Sequence, residues 1–229
     1  MDYALLDWDN TLRKGYTLFT WLDYLIDIGI VESVVRQEVD YYIEEYKKEK
    51  ISHDQLAKDA CDVFAKSIKG MKKSILERQI KDYMCEDSTK LYGFTQEIFD
   101  VLNENKILPI IISGAPSDIL ERYHMIFNIY KIYGFVAEVE NDRFSGKVSY
   151  NYGYNKSLKV EEICNKMGKI PKIAFGDSVS DFEMLNKAEK SIIVCENEKY
   201  SKFKADGIIK QDMSSLEVRR LLTECLAST

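Results

Sequence analysis

The chain has 229 residues, of which 45% are hydrophobic and 31% charged, and these values are ordinary for a globular protein. Its length suits one large domain or a domain that carries an insert. The net charge of −6 argues against nucleic-acid binding, and no apolar run reaches the roughly 20 residues of a membrane span.

The cysteines favour a reducing compartment. They are odd in number, scattered and without a Cys-x-x-Cys pair, and they are Cys61, Cys85, Cys164, Cys195 and Cys225. Such a set is typical of reduced thiols in an intracellular protein. Met1 and Asp2 stand directly before a predicted strand, without a basic segment. We therefore expect no signal peptide and a cytoplasmic protein.

The first predicted strand, residues 3–6, ends in two carboxylates, Asp7 and Asp9. Its short apolar run is typical of a buried strand in a parallel sheet, and such sheets place ligand chemistry beyond the carboxyl ends of their strands. Strand periodicity alone would send the two aspartates to opposite faces, whereas a chain that curls after Asp7 brings both to one metal ion or substrate. An isolated pair of this kind is more often a turn with two solvated aspartates.

A helical block of about 70 residues follows this strand. The predicted helices cover residues 18–26, 31–50, a segment capped by Ser52 and Gln55, and residues 72–83. An ordinary crossover between parallel strands needs only about a dozen residues. We therefore expect a helical cap domain over residues 15–89, inserted into a core domain formed by residues 1–14 and 90–229.

Helices and strands alternate from Thr95 onward. The predicted helices cover residues 96–105, 116–129, 156–167, 181–188 and 214–226, and the predicted strands cover residues 107–112, 135–139, 144–149, 172–175 and 191–195. Pro109 is expected to mark the true start of its strand because proline cannot donate to a ladder. Ser180 and Glu183 are expected to cap the helix that opens at Asp181, and Ser214 and Glu217 the last helix. This alternation predicts an α/β fold with a Rossmann-like, doubly wound parallel sheet.

Three of the predicted strands end in polar side chains, which meet at one edge of a parallel sheet. These residues are Asp7, Asp9 and Thr11, then Ser113 and Gly114, then Asp177 and Asp181, with Lys156 at the start of the helix before the third strand. Clustered carboxylates repel one another, and a divalent cation such as Mg²⁺ relieves that repulsion. A lysine and a serine beside the cation suit a phosphate group. The set predicts a phosphoryl-transfer site with an aspartate nucleophile.

The ordered motifs resemble those of the haloacid dehalogenase-like hydrolase superfamily. They are Asp7-x-Asp9-x-Thr11, Ser113, Lys156 and Gly176-Asp177-x-x-x-Asp181. The position of the helical insert resembles the phosphoserine phosphatase-like branch, and residues 138–146 are similar to a segment of that branch. The resemblance implies a Mg²⁺-dependent phosphatase that hydrolyses a small-molecule phosphomonoester through an aspartyl-phosphate intermediate. A phosphotransferase that uses the same intermediate and a non-catalytic phospho-ligand binder are the alternatives.

The resemblance also implies a role for each matched residue. Asp7 is the nucleophile and Asp9 the general acid and base. Lys156, Ser113 and Gly114 bind the phosphoryl group, with Lys147 and Lys159 as the alternatives to Lys156, and Thr11 supports the phosphate-binding loop. The implied Mg²⁺ ligands are Asp7, Asp177 and the main-chain carbonyl of Asp9, with Asp181 acting through the water of the metal or by orienting Lys156.

The substrate stays open at this stage. Phosphoserine-specific relatives carry a glutamate at the position of Tyr16. Arg13, Tyr16 and Phe19 are candidate specificity residues; Tyr16 and Phe19 either form an aromatic wall for a choline-like cation or a base, or pack within the cap. His53 belongs to no visible ligand set, so we interpret it as structural. The expected partner is a small phosphorylated metabolite, with no nucleic acid, membrane or obligate protein partner.

Overall fold

The computed structural model describes residues 1–154, 156–196 and 204–228. The strands in this part of the chain form one seven-stranded sheet. Its strands are β1 (Asp2–Leu6), β2 (Ile107–Pro116), β3 (Lys131–Glu140), β4 (Arg143–Tyr150), β5 (Ile173–Gly176), β6 (Lys190–Cys195) and β7 (Gly207–Lys210). Their order in the sheet is β4-β3-β2-β1-β5-β6-β7. Every neighbouring pair is parallel except β3 and β4, which form an antiparallel hairpin.

Helices connect the strands. They are α1 (Thr17–Asp27), α2 (Val34–Lys47), α3 (His53–Ser67), α4 (Lys73–Asp87), α5 (Thr95–Glu104), α6 (Ser117–Phe127), α7 (Lys156–Met167), α8 (Phe182–Lys187) and α9 (Ser215–Ala227). None of the helices in the described ranges combines the length and the apolar composition that a membrane crossing requires. The predicted α/β fold with a Rossmann-like, mostly parallel sheet is confirmed.

Strand β1 lies at the centre of the sheet, hydrogen-bonded to β2 on one side and β5 on the other. Its side chains alternate between two apolar cores: Ala4 and Leu6 belong to one, and Tyr3 and Leu5 to the other. Burial on both faces explains why the strand is a continuous apolar run rather than an alternating one. It also places Asp7, the next residue, in the middle of the carboxyl edge.

The two faces of the sheet are covered by different helices. On one face the apolar core joins α5, α6 and α9 to the helices α1 to α4, and on the other it joins α7 to α8. Helices on both faces are the arrangement expected of a doubly wound fold.

Four helices and no strand occupy residues 17–87, a segment that is described without a gap. We call α1 to α4 the helical block. Its end nearest the hairpin is held by backbone hydrogen bonds from Gly70 N to Phe144 O (2.8 Å), from Phe144 N to Met71 O (3.0 Å) and from Lys73 N to Asp142 O (3.0 Å). The connection between α3 and α4 therefore pairs with β4.

Strand β2 begins earlier and ends later than the sequence predicts. It starts at Ile107, so the prediction that Pro109 marks its start was wrong; Pro109 pairs with Ala4 inside the strand. The Pro109 carbonyl accepts from Tyr130 N at 2.8 Å, and pairing with β3 begins only at Ile110, so no ladder bond needs the missing N–H. The strand runs on to Pro116 after a shift in its register with β3.

The capping box before α8 lies two residues earlier than predicted. It is formed by Ser178 and Asp181, not by Ser180 and Glu183, and α8 begins at Phe182. The carboxylate of Asp181 accepts from the backbone N–H groups of Asp177 and Ser178 in the loop that follows β5, and this completes the capping box. The predicted capping box of Ser214 and Glu217 before α9 is confirmed, whereas β7 was not predicted.

Candidate active site

The chain curls immediately after β1. Trp8 O accepts from Leu12 N (2.9 Å) and from Arg13 N (3.1 Å), and Asn10 has a φ of 61°, a left-handed conformation that asparagine tolerates. As a result, Asp7 and Asp9 both line one pocket at the carboxyl edge of the sheet. The pocket also contains Ser113, Gly114, Lys156 and Asp177, so residues from four separate stretches of the sequence meet there.

Asp7 is buried and held on both carboxylate oxygens. Lys156 Nζ donates to Oδ1 at 2.6 Å, and the Thr11 hydroxyl donates to Oδ2 at 3.2 Å. The Thr11 hydroxyl also lies 3.4 Å from Asp177 Oδ1. Thr11, a predicted phosphate-binding residue, therefore connects two carboxylates across the edge of the sheet.

Lys156, the first residue of α7, joins β1 to the loop after β5. Its Nζ donates to Asp181 Oδ1 at 2.7 Å as well as to Asp7. The other oxygen of Asp181 accepts from the backbone N–H groups of Asp177 and Ser178, both at 3.1 Å. Asp181 is fully buried, so its position is set by these contacts and it in turn positions Lys156.

Ser113 and Gly114 lie near the end of β2. The Ser113 hydroxyl accepts from Ala115 N at 3.1 Å, a short-range contact typical of a serine in a tight bend. Gly114 packs against Gly153: a Cβ on Gly153 would lie 2.7 Å from Gly114 Cα. Only glycine allows this approach, which brings the loop after β4 to the edge of the pocket.

The charged side chains of the pocket have shifted pKa values. Burial raises the pKa of Asp9 to about 7, although the charge of Arg13 and hydrogen bonds from Thr17 oppose the shift. Burial disfavours the charged form of Lys156, but the negative charges of Asp181 and Asp7 outweigh this effect and raise the pKa of the lysine. Lys156 is therefore a cation, and Asp9 can hold or release a proton near neutral pH.

The carboxylates fit a hard divalent cation. Oxygens of Asp7, Asp177 and Asp181 all lie within 4.8 Å of one another. Burial, and then the charges of Asp7 and Asp181, raise the pKa of Asp177, so the single amine of Lys156 does not neutralise the cluster. A set of carboxylate oxygens with excess negative charge suits Mg²⁺.

Asp9 lines the same pocket, but its carboxylate does not belong to the group that Asp7, Asp177 and Asp181 form. Asp9 Oδ1 accepts from the backbone N–H of Thr17 at 3.0 Å and from the Thr17 hydroxyl at 2.5 Å. Thr17 is the first residue of α1. The predicted general acid is thus tied to the start of the helical block rather than to the carboxylate cluster.

The three candidate specificity residues lie in two different places. Tyr16 and Phe19 line the pocket, with their ring centroids 5.4 Å apart. The Arg13 side chain is fully buried: its Nε donates to Asp87 Oδ1 at 2.8 Å, and one of its Nη atoms donates to the Thr20 hydroxyl at 2.6 Å. Arg13 therefore connects the loop after β1 to the end of α4 and does not line the pocket.

The sequence contains no motif that marks several of the pocket residues as functional. The α3 side chains that line the pocket are His53, Leu56, Ala57, Ala60 and Cys61. Their spacing is that of one face of a helix, which predicts that the face is buried. The spacing does not show which part of the protein the face packs against. His53, interpreted from sequence as structural, faces the same pocket as Asp7, and only the docking of α3 over the sheet edge brings it there.

A family model describes most of this chain. The model for haloacid dehalogenase-like hydrolases matches residues 4–186, which is more than half of the 229 residues. The chain belongs to this family. The match spans every strand and helix that contributes to the pocket, and the predicted resemblance is confirmed.

Solved structures share the fold of this family member at low sequence identity. A protein of unknown function from Bordetella pertussis Tohama I is 17% identical, with 84% of this chain and 89% of that chain covered and a TM-score of 0.70. A phospho-aspartyl intermediate analogue of phosphoserine phosphatase is 19% identical (97% and 98% covered, TM-score 0.66). A substrate-bound phosphoserine phosphatase complex is 19% identical (97% of each chain covered, TM-score 0.67). No curated protein matches the chain significantly.

Proposed function

We propose that this hydrolase is a Mg²⁺-dependent phosphatase that cleaves a small phosphomonoester through an aspartyl-phosphate on Asp7. The observation that carries the proposal is the placement of Asp7: its carboxylate lines the pocket, 2.6 Å from the amine of Lys156 and next to Asp9. The family match supports hydrolysis, and one solved structure with this fold is a phospho-aspartyl intermediate analogue.

The first step transfers the phosphoryl group to the protein. A carboxylate oxygen of Asp7 forms a bond to phosphorus while the bond from phosphorus to the alcohol oxygen breaks. The leaving oxygen takes a proton from Asp9, whose pKa of about 7 suits proton donation near neutral pH. The products of this step are the free alcohol and an aspartyl-phosphate.

The second step returns Asp7 to its starting state. A water molecule attacks phosphorus and gives its proton to Asp9, now the base, while the bond between phosphorus and the Asp7 oxygen breaks. Inorganic phosphate leaves, and Asp9 regains the proton that it donated in the first step. One residue serves as acid and then as base because both proton transfers occur at the same face of the phosphoryl group.

Lys156 and Ser113 bind the transferring group in this proposal. Lys156 supplies a positive charge that Asp181 holds in place, and charge that is fixed before the reaction stabilises the phosphoryl oxygens without reorganisation. Ser113 supplies a hydroxyl, and Gly114 lets the main chain approach the phosphate.

The residues that would hold Mg²⁺ are Asp7 and Asp177, with the Asp9 main-chain carbonyl and Asp181 beside them. The bound cation would neutralise negative charge on the phosphate and on the carboxylates. The excess negative charge around Asp177 supports this assignment.

We further propose that residues 15–89 act as a cap on a core formed by residues 1–14 and 90–229. The pocket supports this division, since the phosphate-side residues come from the core and Tyr16, Phe19 and His53 come from residues 15–89. The scattered cysteines support a cytoplasmic location.

Release of phosphate from p-nitrophenyl phosphate tests the reaction. We expect turnover in Mg²⁺, none in EDTA, and none in Asp7→Asn; the exposed Asp82→Asn on α4 is the matched control and keeps full activity. Turnover that survives Asp7→Asn would overturn the assignment of the nucleophile. Equal amounts of phosphate and alcohol identify water as the acceptor, whereas a shortfall of phosphate in the presence of an added alcohol identifies a phosphotransferase.

A further inference from the structure

One wall of the pocket is apolar. It is built by side chains of α1 and α3, namely Leu18, Phe19, Leu56, Ala57, Ala60 and Cys61. The pocket leaves about 90 Å³ of space in which a water-sized molecule can be centred. The alcohol part of a substrate held at Asp7 would contact this wall.

The carboxyl and amine side chains of the pocket are confined to its predicted phosphate end. Among the described residues that line it, the charged ones are Asp7, Asp9, Lys156 and Asp177, all next to the predicted phosphate position. The described lining of the helical block carries neither a carboxylate nor an arginine or lysine. An ammonium or carboxylate on the alcohol would therefore lose its hydration there without gaining a partner, which is costly.

His53 supplies a polar side chain among the α3 residues that line the pocket. His53 Nδ1 is buried and has no hydrogen-bond partner among the described residues; its nearest carboxylate oxygen, Asp54 Oδ1, is 4.0 Å away. Burial, and then the charge of Lys156, lower the pKa of His53, so the ring is neutral near pH 7. A neutral imidazole nitrogen suits an uncharged hydrogen-bonding group on a ligand and does not pair with a carboxylate.

The aromatic pair that lines the pocket already has a cation beside it. Tyr16 and Phe19 are tilted by 56° to one another, and the Arg36 guanidinium already lies 5.8 Å from the centre of the Phe19 ring. A second cation at Phe19 would meet the positive charge of Arg36. These rings are better suited to contacts with an uncharged group.

We propose that the substrate is the phosphate monoester of an uncharged, largely apolar alcohol, with the α1 and α3 wall as its binding surface and His53 as its polar contact in the helical block. This proposal rests on the phosphatase function proposed above. It excludes phosphoserine and phosphocholine as preferred substrates, because each carries a charged group into a wall that offers no counter-charge.

A series of primary alkyl phosphates tests the proposal, because their leaving groups have similar chemistry. The esters are ethyl, butyl, 3-methylbutyl and 2-phenylethyl phosphate, compared with phosphoethanolamine, phosphocholine and phosphoserine in Mg²⁺. We expect kcat/KM to rise by about fourfold for each added methylene that is buried. A higher kcat/KM for phosphoserine, phosphocholine or phosphoethanolamine than for 3-methylbutyl phosphate would overturn the proposal.

Variants of the wall give a second readout. In Phe19→Ala, we expect the ratio of kcat/KM for 2-phenylethyl phosphate to that for ethyl phosphate to fall by about tenfold, since an aromatic contact is lost. The control Tyr41→Ala removes an exposed tyrosine of the helical block outside the pocket and leaves this ratio unchanged. In Ala57→Asp, the added carboxylate should shift preference toward phosphoethanolamine. Unchanged ratios in both Phe19→Ala and Ala57→Asp contradict the proposal.

Binding of phosphonates separates this proposal from the proposed reaction, since phosphonates are not hydrolysed. Calorimetry in Mg²⁺ compares butylphosphonate with 2-aminoethylphosphonate. Tighter binding of butylphosphonate supports the apolar site, and if no ester is then turned over, it is the phosphatase function that fails. Ester turnover together with tighter binding of 2-aminoethylphosphonate leaves the phosphatase function standing and overturns the apolar substrate.

Discussion

The amine of Lys156 lies 2.6 Å from Asp7 Oδ1, although 149 positions separate the two residues in the chain. Only 4% of the Lys156 side chain and 7% of the Asp7 side chain are exposed. A buried pair of this kind needs satisfied partners on both sides, and Asp181 supplies the second partner of the lysine. The pair connects the start of α7 to the end of β1.

Replacing Lys156 by methionine should remove the charge that we propose binds the phosphate, while keeping most of the side-chain volume. We expect kcat to fall by about 10²-fold to 10³-fold, as when one preorganised donor is removed from an active site. Steady-state kinetics with p-nitrophenyl phosphate in Mg²⁺ would measure the loss.

The matched control for this substitution is Lys159→Met, one turn further along α7. Lys159 Nζ lies 4.7 Å from the centre of the Tyr133 ring and 4.9 Å from that of Tyr152, away from Asp7. Its substitution should leave kcat within about twofold of the wild type, as expected for a side chain outside the reaction. If Lys159→Met caused the larger loss, the assignment of the phosphate-binding lysine would be wrong.

Mg²⁺ should stabilise the folded protein through Asp177. At a Mg²⁺ concentration about 100 times Kd, the free energy of unfolding rises by about 2.7 kcal/mol if the cation binds only the folded state. Asp177→Asn removes one of three mutually repelling carboxylates, so the protein in EDTA should gain stability while the gain from Mg²⁺ shrinks. Thermal unfolding in Mg²⁺ and in EDTA measures both effects.

Asp82→Asn serves as the control, because Asp82 is exposed on α4 and outside the carboxylate cluster. It should show the same Mg²⁺-dependent rise in Tm as the wild type. An equal rise in Tm for Asp177→Asn would place the cation elsewhere.

Gly176 leaves the space in which Asp181 sits. A Cβ at residue 176 would lie 2.5 Å from Asp181 Cβ and 2.8 Å from its Cγ, so Gly176→Ala must displace this carboxylate from Lys156. Overpacking of this kind costs about 1–3 kcal/mol of unfolding free energy. We expect a lower denaturation midpoint and a lower kcat in the same variant.

Gly93→Ala is the corresponding control, since a Cβ there meets no atom within 4 Å. It should leave both the midpoint and kcat close to the wild-type values. A Gly176→Ala protein with normal stability and normal kcat would show that Asp181 is not confined by this contact.

The buried pair of Arg13 and Asp87 should matter for stability. Asp87 Oδ1 accepts from Arg13 Nε at 2.8 Å and from the Tyr83 hydroxyl at 3.0 Å, and Asp87 Oδ2 accepts from the Tyr123 hydroxyl at 2.7 Å. Arg13→Met leaves a carboxylate buried without its counter-charge. Breaking a buried pair from one side costs about 3–5 kcal/mol, which urea unfolding would measure.

The double variant Arg13→Met/Asp87→Leu removes both charges and should recover part of the lost stability, because no unpaired charge remains. Arg13 was also a candidate specificity residue, and the kinetics of Arg13→Met separate the two roles. If Arg13→Met raises KM and leaves the free energy of unfolding unchanged, Arg13 takes part in substrate recognition rather than in stability.

The sequence was most informative where local rules decide the structure. The apolar run of β1, the cap of α9 at Ser214 and Glu217, and the start of α7 at Lys156 all follow from neighbouring residues, and each was predicted correctly. The prediction for Pro109 was wrong because a missing N–H weakens a strand only where a neighbouring strand would accept a hydrogen bond from it. Strand β3 does not pair with β2 at Pro109. The Ser178 and Asp181 box was missed because Asp181 takes its orientation from Lys156 as well as from its own loop.

Most of the elements, their order and the motifs that carry the family resemblance were predictable from the chain, because strand and helix patterns and turn residues are local properties. The set of side chains that faces the pocket was not, because it depends on how the helices pack on the sheet. Arg13 and Tyr16 are three residues apart, yet Arg13 is fully buried and Tyr16 is 46% exposed and lines the pocket. His53 and the apolar face of α3 reach that pocket only because the helical block docks on the sheet edge. Contacts between segments that are distant in the chain depend on packing, which no local pattern encodes.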